Sequence, residues 1–273
     1  MGPHAHEIML RVSSGVILGA AIAAAVWFLG PAPLLAIAEV VLLLAFLEYT
    51  ALAERLGVRV AKVPAGAAAM LACAAMVFPG APVEVVLMAA VLALGALVLA
   101  SGRAGSEALH DIAASLLPTL YLGLPLGALL ATRAAAGREA VLLLLVTVIV
   151  SDTAQYYSGR ALGRRLLAPA ISPNKTVEGA LGGLVFGTVT MVLVGRWWLP
   201  SAALVWRVGL GFAVVVFGIV GDLFESLIKR GAGVKDASSV IPGHGGVLDR
   251  IDALLFAAPV YYMFVKYVLA RGE

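Results

Sequence analysis

Charged and glycine residues concentrate in one stretch of an otherwise apolar chain, between Ser226 and Asp252. This signature segment contains five glycines and one proline and lies between two long apolar runs. Its charged and imidazole side chains are Lys229, Arg230, Lys235, Asp236, His244, Asp249, Arg250 and Asp252. Lysine and arginine bind phosphate oxygens, whereas carboxylates bind hard divalent cations. The segment therefore predicts a site for phosphate groups and a divalent cation.

Three aspartates in and beside the signature segment are spaced to act together. Asp249 and Asp252 stand three residues apart at the start of the last apolar helix, so they share a helix face. Asp222 follows the apolar run GFAVVVFGIVG on the preceding helix and would complete a carboxylate cluster. Oxygen ligands without thiols favour magnesium over zinc.

Neighbouring groups could support such a site. Gly243, Gly245 and Gly246 would let backbone N–H groups approach a phosphate closely, and His244 could bond a phosphate oxygen or stabilise the turn. On the preceding helix, Asp222, Glu225, Ser226 and Lys229 fall on one face. An ordinary intrahelical pair would explain Glu225 and Lys229, whereas Asp222 lies deep enough to need a metal or a cationic partner.

A second polar segment runs from Ser151 to Gly183. Asp152 follows the apolar run VLLLLVTVIV after a single serine, and a carboxylate there is costly unless it faces protein, water or a cation. Asn174 or Thr176 could cap the next helix, and Lys175 would add positive charge at that helix start, which predicts an anion site. The alternative is an ordinary cap beside a lysine that reaches towards water.

Composition indicates the setting of these residues. The 273-residue chain is 62% hydrophobic and 13% charged, with a mean hydropathy of +1.02 and a net charge of +3. Soluble domains carry about 25% charged residues, so we predict an all-α polytopic membrane protein. Its single domain would cover residues 1–273, with about nine transmembrane helices and a polar cavity on the cytoplasmic side. The predicted spans are Met9 to Leu29, Pro31 to Ala53, Ala61 to Phe78, Pro82 to Ser101, Ile112 to Thr132, Glu139 to Tyr157, Val177 to Val194, Ala202 to Leu227 and Ile251 to Leu269.

The distribution of basic residues predicts the orientation. With nine spans, twelve of the 19 lysines and arginines fall on the side of the signature segment and seven on the other. The positive-inside rule then places the segment in the cytoplasm and both termini outside.

Three side chains stand out within the apolar runs of the amino-terminal half. Glu39 and Glu48, in an early span, could face a cavity or pair between helices. Cys73, the only cysteine, lies in an apolar run and is predicted to be a packing residue.

The signature segment resembles that of the phosphatidate cytidylyltransferases, the bacterial CDP-diacylglycerol synthases. The matching residues are Ser226, Lys229, Arg230, Lys235, Asp236, Pro242, His244, Gly245, Gly246, Asp249, Arg250 and Asp252. The segments SPNKTVEGALGG and SDTAQYYSGR are also similar to that family. This resemblance implies a magnesium-dependent enzyme of the inner membrane that converts CTP and phosphatidic acid to CDP-diacylglycerol and pyrophosphate. It also implies an active site facing the cytoplasm, a homodimer, a lateral opening for the lipid and no nucleic-acid partner.

The resemblance also implies roles for individual residues. Asp222 and Asp249 would form the metal centre, with Asp252 as a further ligand and Asp236 in support. The phosphate-gripping residues would be Lys175, Lys229, Arg230, Lys235 and Arg250. Asp152, Ser226, His244, Gly245 and Gly246 would contribute to substrate binding. Ser226 is not expected to act as a nucleophile, since no base is evident beside it.

Two other functions fit parts of the pattern. An ion-coupled transporter also carries intramembrane carboxylates, but such proteins commonly contain internal repeats, and the signature segment has no second copy here. A CDP-alcohol phosphotransferase would show a paired-aspartate motif beginning Asp-Gly-x-x-Ala-Arg, which this chain lacks.

Overall fold

The computed structural model describes residues 3–78, 80, 82–102, 105–238 and 245–269. Within them the chain is built almost wholly from helices, which confirms the all-α class. The helices are α1 (Pro3–Phe28), α2 (Pro31–Arg55), α3 (Lys62–Val77), α4 (Val83–Ala100), α5 (Ser106–Pro118), α6 (Leu124–Leu162), α7 (Val177–Trp198), α8 (Leu204–Gly231) and α9 (Leu248–Phe264). A π-helical turn, Thr119–Gly123, joins α5 to α6, and a second one, Val265–Leu269, extends α9.

The apolar helices agree with a multi-pass membrane protein. Six helical segments in the described residues are long and apolar enough to cross a membrane, and one of them is the continuous run Ser106–Leu162. That run is interrupted at Gly137, whose φ of 86° departs from helical geometry. The break falls between the predicted fifth and sixth spans. Ile17–Phe28 and Lys62–Val77 are apolar but shorter, so the count of nine crossings stays a prediction.

A two-stranded hairpin departs from the purely helical expectation. Strands β1 (Leu166–Ala168) and β2 (Ser172–Thr176) pair antiparallel, with Leu166 opposite Thr176. Glu178 fixes the entry to this hairpin, because its Oε2 accepts hydrogen bonds from the backbone N–H groups of Arg164 and Arg165 at 2.9 and 3.2 Å. Thr176 then caps α7 by accepting from the Gly179 N–H at 3.1 Å, so one of the two predicted caps is confirmed.

The core holds the carboxyl-terminal helices against α2 and α3. One buried cluster joins residues of α2, α3 and the first π-helical turn to the start of α9, including Phe46, Leu122 and Leu248. Cys73 is fully buried in this cluster, as expected of a packing residue. Gly123 lies so close to the carbonyl of Ala69 that any side chain there would collide with backbone. This close approach fixes the π-helical turn against α3.

Candidate active site

Four segments bring charged side chains together at one end of the helix bundle. Asp152 comes from α6, Lys175 from β2, Asp222 from α8 and Asp252 from α9. The Lys175 ammonium forms an ion pair with the Asp222 carboxylate. Asp252 lies near enough to Asp222, Asp152 and Lys175 for their charges to interact. We call these four residues the aspartate cluster; it contains three carboxylates and one ammonium.

The aspartate cluster is partly open to its surroundings. The Lys175 and Asp222 side chains are 21% and 31% exposed, and Asp152 is exposed. Ser226, one helical turn after Asp222, places its hydroxyl 3.5 Å from Asp222 Oδ1. The predicted proximity of Asp222 and Asp252 across α8 and α9 is therefore present, and Lys175 supplies the cationic partner that the depth of Asp222 required.

A second, more deeply buried group lies beside it. The Lys229 ammonium pairs with the Glu225 carboxylate one turn earlier on α8 and with Asp249 Oδ1 of α9 at 2.5 Å. Glu225 is fully buried, and the Lys229 side chain is only 11% exposed. The intrahelical pair expected for Glu225 and Lys229 is confirmed. It is extended by a contact between helices, and we call the three residues the lysine bridge.

Asp249 also fixes the chain that leads into α9. Its Oδ2 accepts hydrogen bonds from the backbone N–H groups of Ala237 at 3.0 Å and Gly246 at 2.8 Å. Gly245 has a φ of 79°, and a side chain at this position would approach Asp249 Oδ2. One carboxylate thus joins α8, the signature segment and α9.

Glu48 of α2 binds the same region from the other side. Its Oε1 accepts from the Ser238 hydroxyl at 2.6 Å and from the Val247 N–H at 2.9 Å, while Oε2 accepts from the Leu248 N–H at 2.7 Å. Only 5% of Glu48 is exposed. A buried carboxylate therefore satisfies the free N–H groups at the start of α9, where the helix dipole favours negative charge.

Two roles were considered for Glu48, facing a cavity or pairing between helices. The structure supports the second kind of role, because Glu48 joins α2 to the start of α9. Gly246 is required beside it, because a side chain at this position would lie 2.6 Å from Glu48 Oε2. Glu39, in the same helix, lies beside Cys73, and its Oε2 is buried without a hydrogen-bond partner.

The remaining predicted site residues occupy different positions. Arg230 donates to the carbonyls of Ile171 at 3.2 Å and Val234 at 3.3 Å, which ties the end of α8 to the hairpin. Lys235, Asp236 and Arg250 are exposed. His244 lies outside the described residues. These four residues remain candidates for substrate contact.

The ligand type and charge of the aspartate cluster suit a hard divalent cation. Its ligands are carboxylate oxygens, and three carboxylates with one ammonium leave an excess of two negative charges. No three His, Cys, Asp or Glu side chains in the described part of the chain form a ready metal-holding group. Asp222 and Asp249 are instead paired with different lysines. The joint binding of one metal ion by Asp222, Asp249 and Asp252 stays a prediction.

A bundle of long apolar helices with a charged, partly open cluster at one end defines a multi-pass membrane protein with a polar site. The chain belongs to the Cytidylyltransferase family, whose family model matches residues 9–268. This membership confirms the resemblance seen in the signature segment and the assignment of the chain to an enzyme family.

Curated relatives include several phosphatidate cytidylyltransferases. The protein of that name from Helicobacter pylori is 39% identical over 189 residues, which cover 69% of this chain and 67% of that protein. The Haemophilus influenzae protein is 43% identical over 134 residues, 47% of this chain and 46% of that protein. The Aquifex aeolicus protein is 42% identical over 133 residues, 49% of this chain and 48% of that protein.

Replacing Glu48 with glutamine is expected to destabilise the protein by about 1–3 kcal/mol, because the amide nitrogen cannot accept the buried N–H of α9. Turnover should fall as well, since α9 carries Asp249 and Asp252. Unfolding in detergent and initial rates would measure both effects. Glu39→Gln is the matched control: it makes the same change in the same helix, away from α9, and should lower neither stability nor turnover. Equal losses in the two variants would remove Glu48 from this role.

Proposed function

We propose that this protein is a phosphatidate cytidylyltransferase, which forms CDP-diacylglycerol and pyrophosphate from CTP and phosphatidic acid. The observation that carries the proposal is the meeting of Asp152, Lys175, Asp222 and Asp252 from four segments at the end of an apolar bundle. With a divalent cation bound, a site of this kind can hold a polyanionic headgroup while the attached acyl chains stay among the membrane helices. Family membership supports nucleotide transfer over the transport of an ion.

The proposed reaction needs no nucleophile from the protein. An oxygen of the lipid phosphate attacks the α-phosphorus of CTP, the bond from that phosphorus to the bridging oxygen breaks, and pyrophosphate leaves with the electron pair. Ser226 lies beside a carboxylate that is already paired with Lys175, which supports a binding role for its hydroxyl. The protein's task is to position two polyanions and to offset their repulsion.

Basic side chains from several segments would offset the repulsion between the two polyanions. Lys175 and Lys229 are held in place by carboxylates, so their positions are set before substrate arrives. Arg230, Lys235 and Arg250 lie on exposed surface at the same end of the bundle and are proposed to grip the triphosphate or the lipid phosphate. Gly245 and His244 would supply further donors, with Asp236 in support. The Gly246 N–H, predicted to bind substrate, donates to Asp249 instead.

Magnesium is proposed as the cofactor, held by Asp222 and Asp252 in the aspartate cluster and by Asp249 from the lysine bridge. A bound divalent cation would offset phosphate charge and draw the two anions together. Asp152 would add negative charge to this environment. Lys175 pairs with the Asp222 carboxylate in the structure. If the cation bound to that carboxylate, the Lys175 ammonium would be free to contact phosphate.

The proposed setting is the inner membrane, with nine crossings, a homodimeric assembly and the site in a cavity facing the cytoplasm, where CTP is found. The excess of basic residues on that side supports this orientation.

The activity can be tested on purified protein in detergent or liposomes supplied with CTP, magnesium and phosphatidic acid. Pyrophosphate release and the lipid product should appear together in equal amounts. Omission of either substrate should abolish both products. The proposal fails if neither product forms while the protein remains folded.

A further inference from the structure

An apolar pocket of about 370 Å³ is lined by residues of α8 and α9, two of the helices that carry the charged residues. It is bordered by the π-helical turn and the adjoining ends of α5 and α6, and by α8 and α9. Its walls include Leu120, Tyr121, Phe217, Phe224, Phe256 and Met263. Leu120, Phe217 and Met263 are 53%, 43% and 50% exposed, so one side of the pocket opens towards the lipid around the bundle.

The pocket runs along the same two helices that carry the site. Phe224 directly precedes Glu225, and Phe256 stands one turn after Asp252 on α9. From Phe224 the wall continues to Phe217, and from Phe256 it continues to Met263. Each step is seven helical residues, or about 10 Å. The pocket therefore extends from the level of the carboxylates towards the middle of the bundle.

Tyr121 stands at the junction of the pocket and the charged residues. Its ring packs edge-on against Phe224 and Phe256, with centroids 5.1 and 6.2 Å away. Only 5% of the residue is exposed, and its hydroxyl is buried without a hydrogen-bond partner. The hydroxyl lies near enough to four carboxylates for their charges to interact with it: Glu225, Asp252, Asp222 and Asp249. A buried hydroxyl without a partner is costly, so its retention indicates a ligand that accepts its hydrogen bond.

Resting on the proposed cytidylyltransferase activity, we propose that this pocket holds one acyl chain of the phosphatidate substrate, with the Tyr121 hydroxyl donating to an oxygen of the glycerol-ester region. The headgroup then lies at the aspartate cluster while the chain follows α8 and α9 into the membrane. This places the lipid phosphate and its hydrocarbon in two adjoining compartments of one site.

The geometry favours the substrate's own chain over a bulk lipid. A bulk lipid could fill an apolar groove anywhere on the bundle, but it would neither require a buried hydroxyl at one end nor need the groove to begin at the carboxylates. The ligand must therefore have a hydrocarbon chain with hydrogen-bond acceptor oxygens at one end of that chain. Phosphatidate has that structure, and in the proposed reaction its phosphate must lie at the aspartate cluster.

The main test narrows the pocket with Leu120→Trp and compares dihexanoyl with dioleoyl phosphatidate. The kcat/KM for the long-chain lipid should fall by at least about tenfold relative to the short-chain lipid, because a bulky side chain excludes the methylenes from the pocket. The KM for CTP should stay unchanged. Leu193→Trp is the matched control, since Leu193 of α7 is 58% exposed but does not line the pocket. It should preserve the wild-type ratio of the two lipids.

Tyr121→Phe tests the hydroxyl while keeping the ring. The KM for phosphatidate should rise about two- to tenfold with no change in the KM for CTP, as expected for one lost hydrogen bond. If the hydroxyl served only in packing, its removal would leave both KM values unaltered. That result would overturn the role assigned to Tyr121.

A binding measurement separates this inference from the proposed activity. Dioleoyl phosphatidate without CTP should raise the Tm of the wild type and of Leu193→Trp, but not that of Leu120→Trp. If these shifts are seen while no variant turns over CTP, the activity fails and the pocket stands. If the wild type is active and Leu120→Trp retains both the wild-type lipid ratio and the Tm shift, the pocket is not the acyl site.

Discussion

Replacing Asp222 with asparagine is expected to lower kcat by at least about 10²-fold, because it removes a carboxylate proposed to hold the magnesium ion that offsets the charge of the two polyanions. The protein should keep its thermal stability, since the substitution preserves volume and the Asp222 side chain is 31% exposed. The magnesium concentration that gives half the maximal rate should also rise. Initial rates over a magnesium titration, with Tm measured in parallel, would test all three effects.

Glu84→Gln provides the control for this variant. Glu84 is an exposed carboxylate in the first turn of α4, so the same carboxylate-to-amide change occurs away from the site. Its rate and magnesium dependence should match the wild type. A wild-type rate in Asp222→Asn would exclude Asp222 from the chemistry, whereas a lowered Tm would assign it a structural role instead.

The positions of the helices and part of the site could be predicted from local sequence. A run of apolar residues has few alternatives to a buried or membrane helix, and Asp222 and Asp252 had to flank one connection between two such helices. Their proximity therefore follows from the order of the elements. The cap at Thr176 could also be predicted, because a cap depends on residues within one turn.

The contacts that cross the bundle could not be predicted in the same way. Glu48 meets the start of α9 across about two hundred positions of chain, and nothing in its immediate neighbours distinguishes it from Glu39. Tyr121 lies in an apolar run, where sequence alone would predict that any aromatic residue is a packing residue. Its significance comes from a π-helical turn and from an absent partner, both of which depend on tertiary structure.

Charge pairing also differed from the simplest interpretation of the signature segment. Asp222, Asp249 and Asp252 were predicted as one group because they share a region of sequence. In the structure Asp222 pairs with Lys175 and Asp249 pairs with Lys229. Lys175 lies on strand β2 of a hairpin that helical periodicity did not predict. The carboxylates beside each lysine already favour positive charge at that place, which is a property expected of a cation site.

Lys229→Met is expected to destabilise the protein by about 3–5 kcal/mol, since it leaves the carboxylates of Glu225 and Asp249 without their shared cation in a buried site. Activity should be lost as well, because Asp249 anchors the segment that leads into α9. Unfolding in detergent would give the stability and initial rates the activity. Lys62→Met is the matched control: its pair with Glu54 is about half exposed, and its loss should cost about 1 kcal/mol or less.

A double variant distinguishes lost charge pairing from lost packing. Glu225→Gln combined with Lys229→Met removes one of the two stranded carboxylates, so stability should recover in part relative to Lys229→Met alone. Activity should not recover, because Asp249 still lacks its lysine. If the double variant were as unstable as the single one, burial of unpaired charge could not be the cause, and the lysine bridge would act through the shape of the Lys229 side chain. Recovery of both stability and turnover would instead show that the site needs only neutral packing at this position.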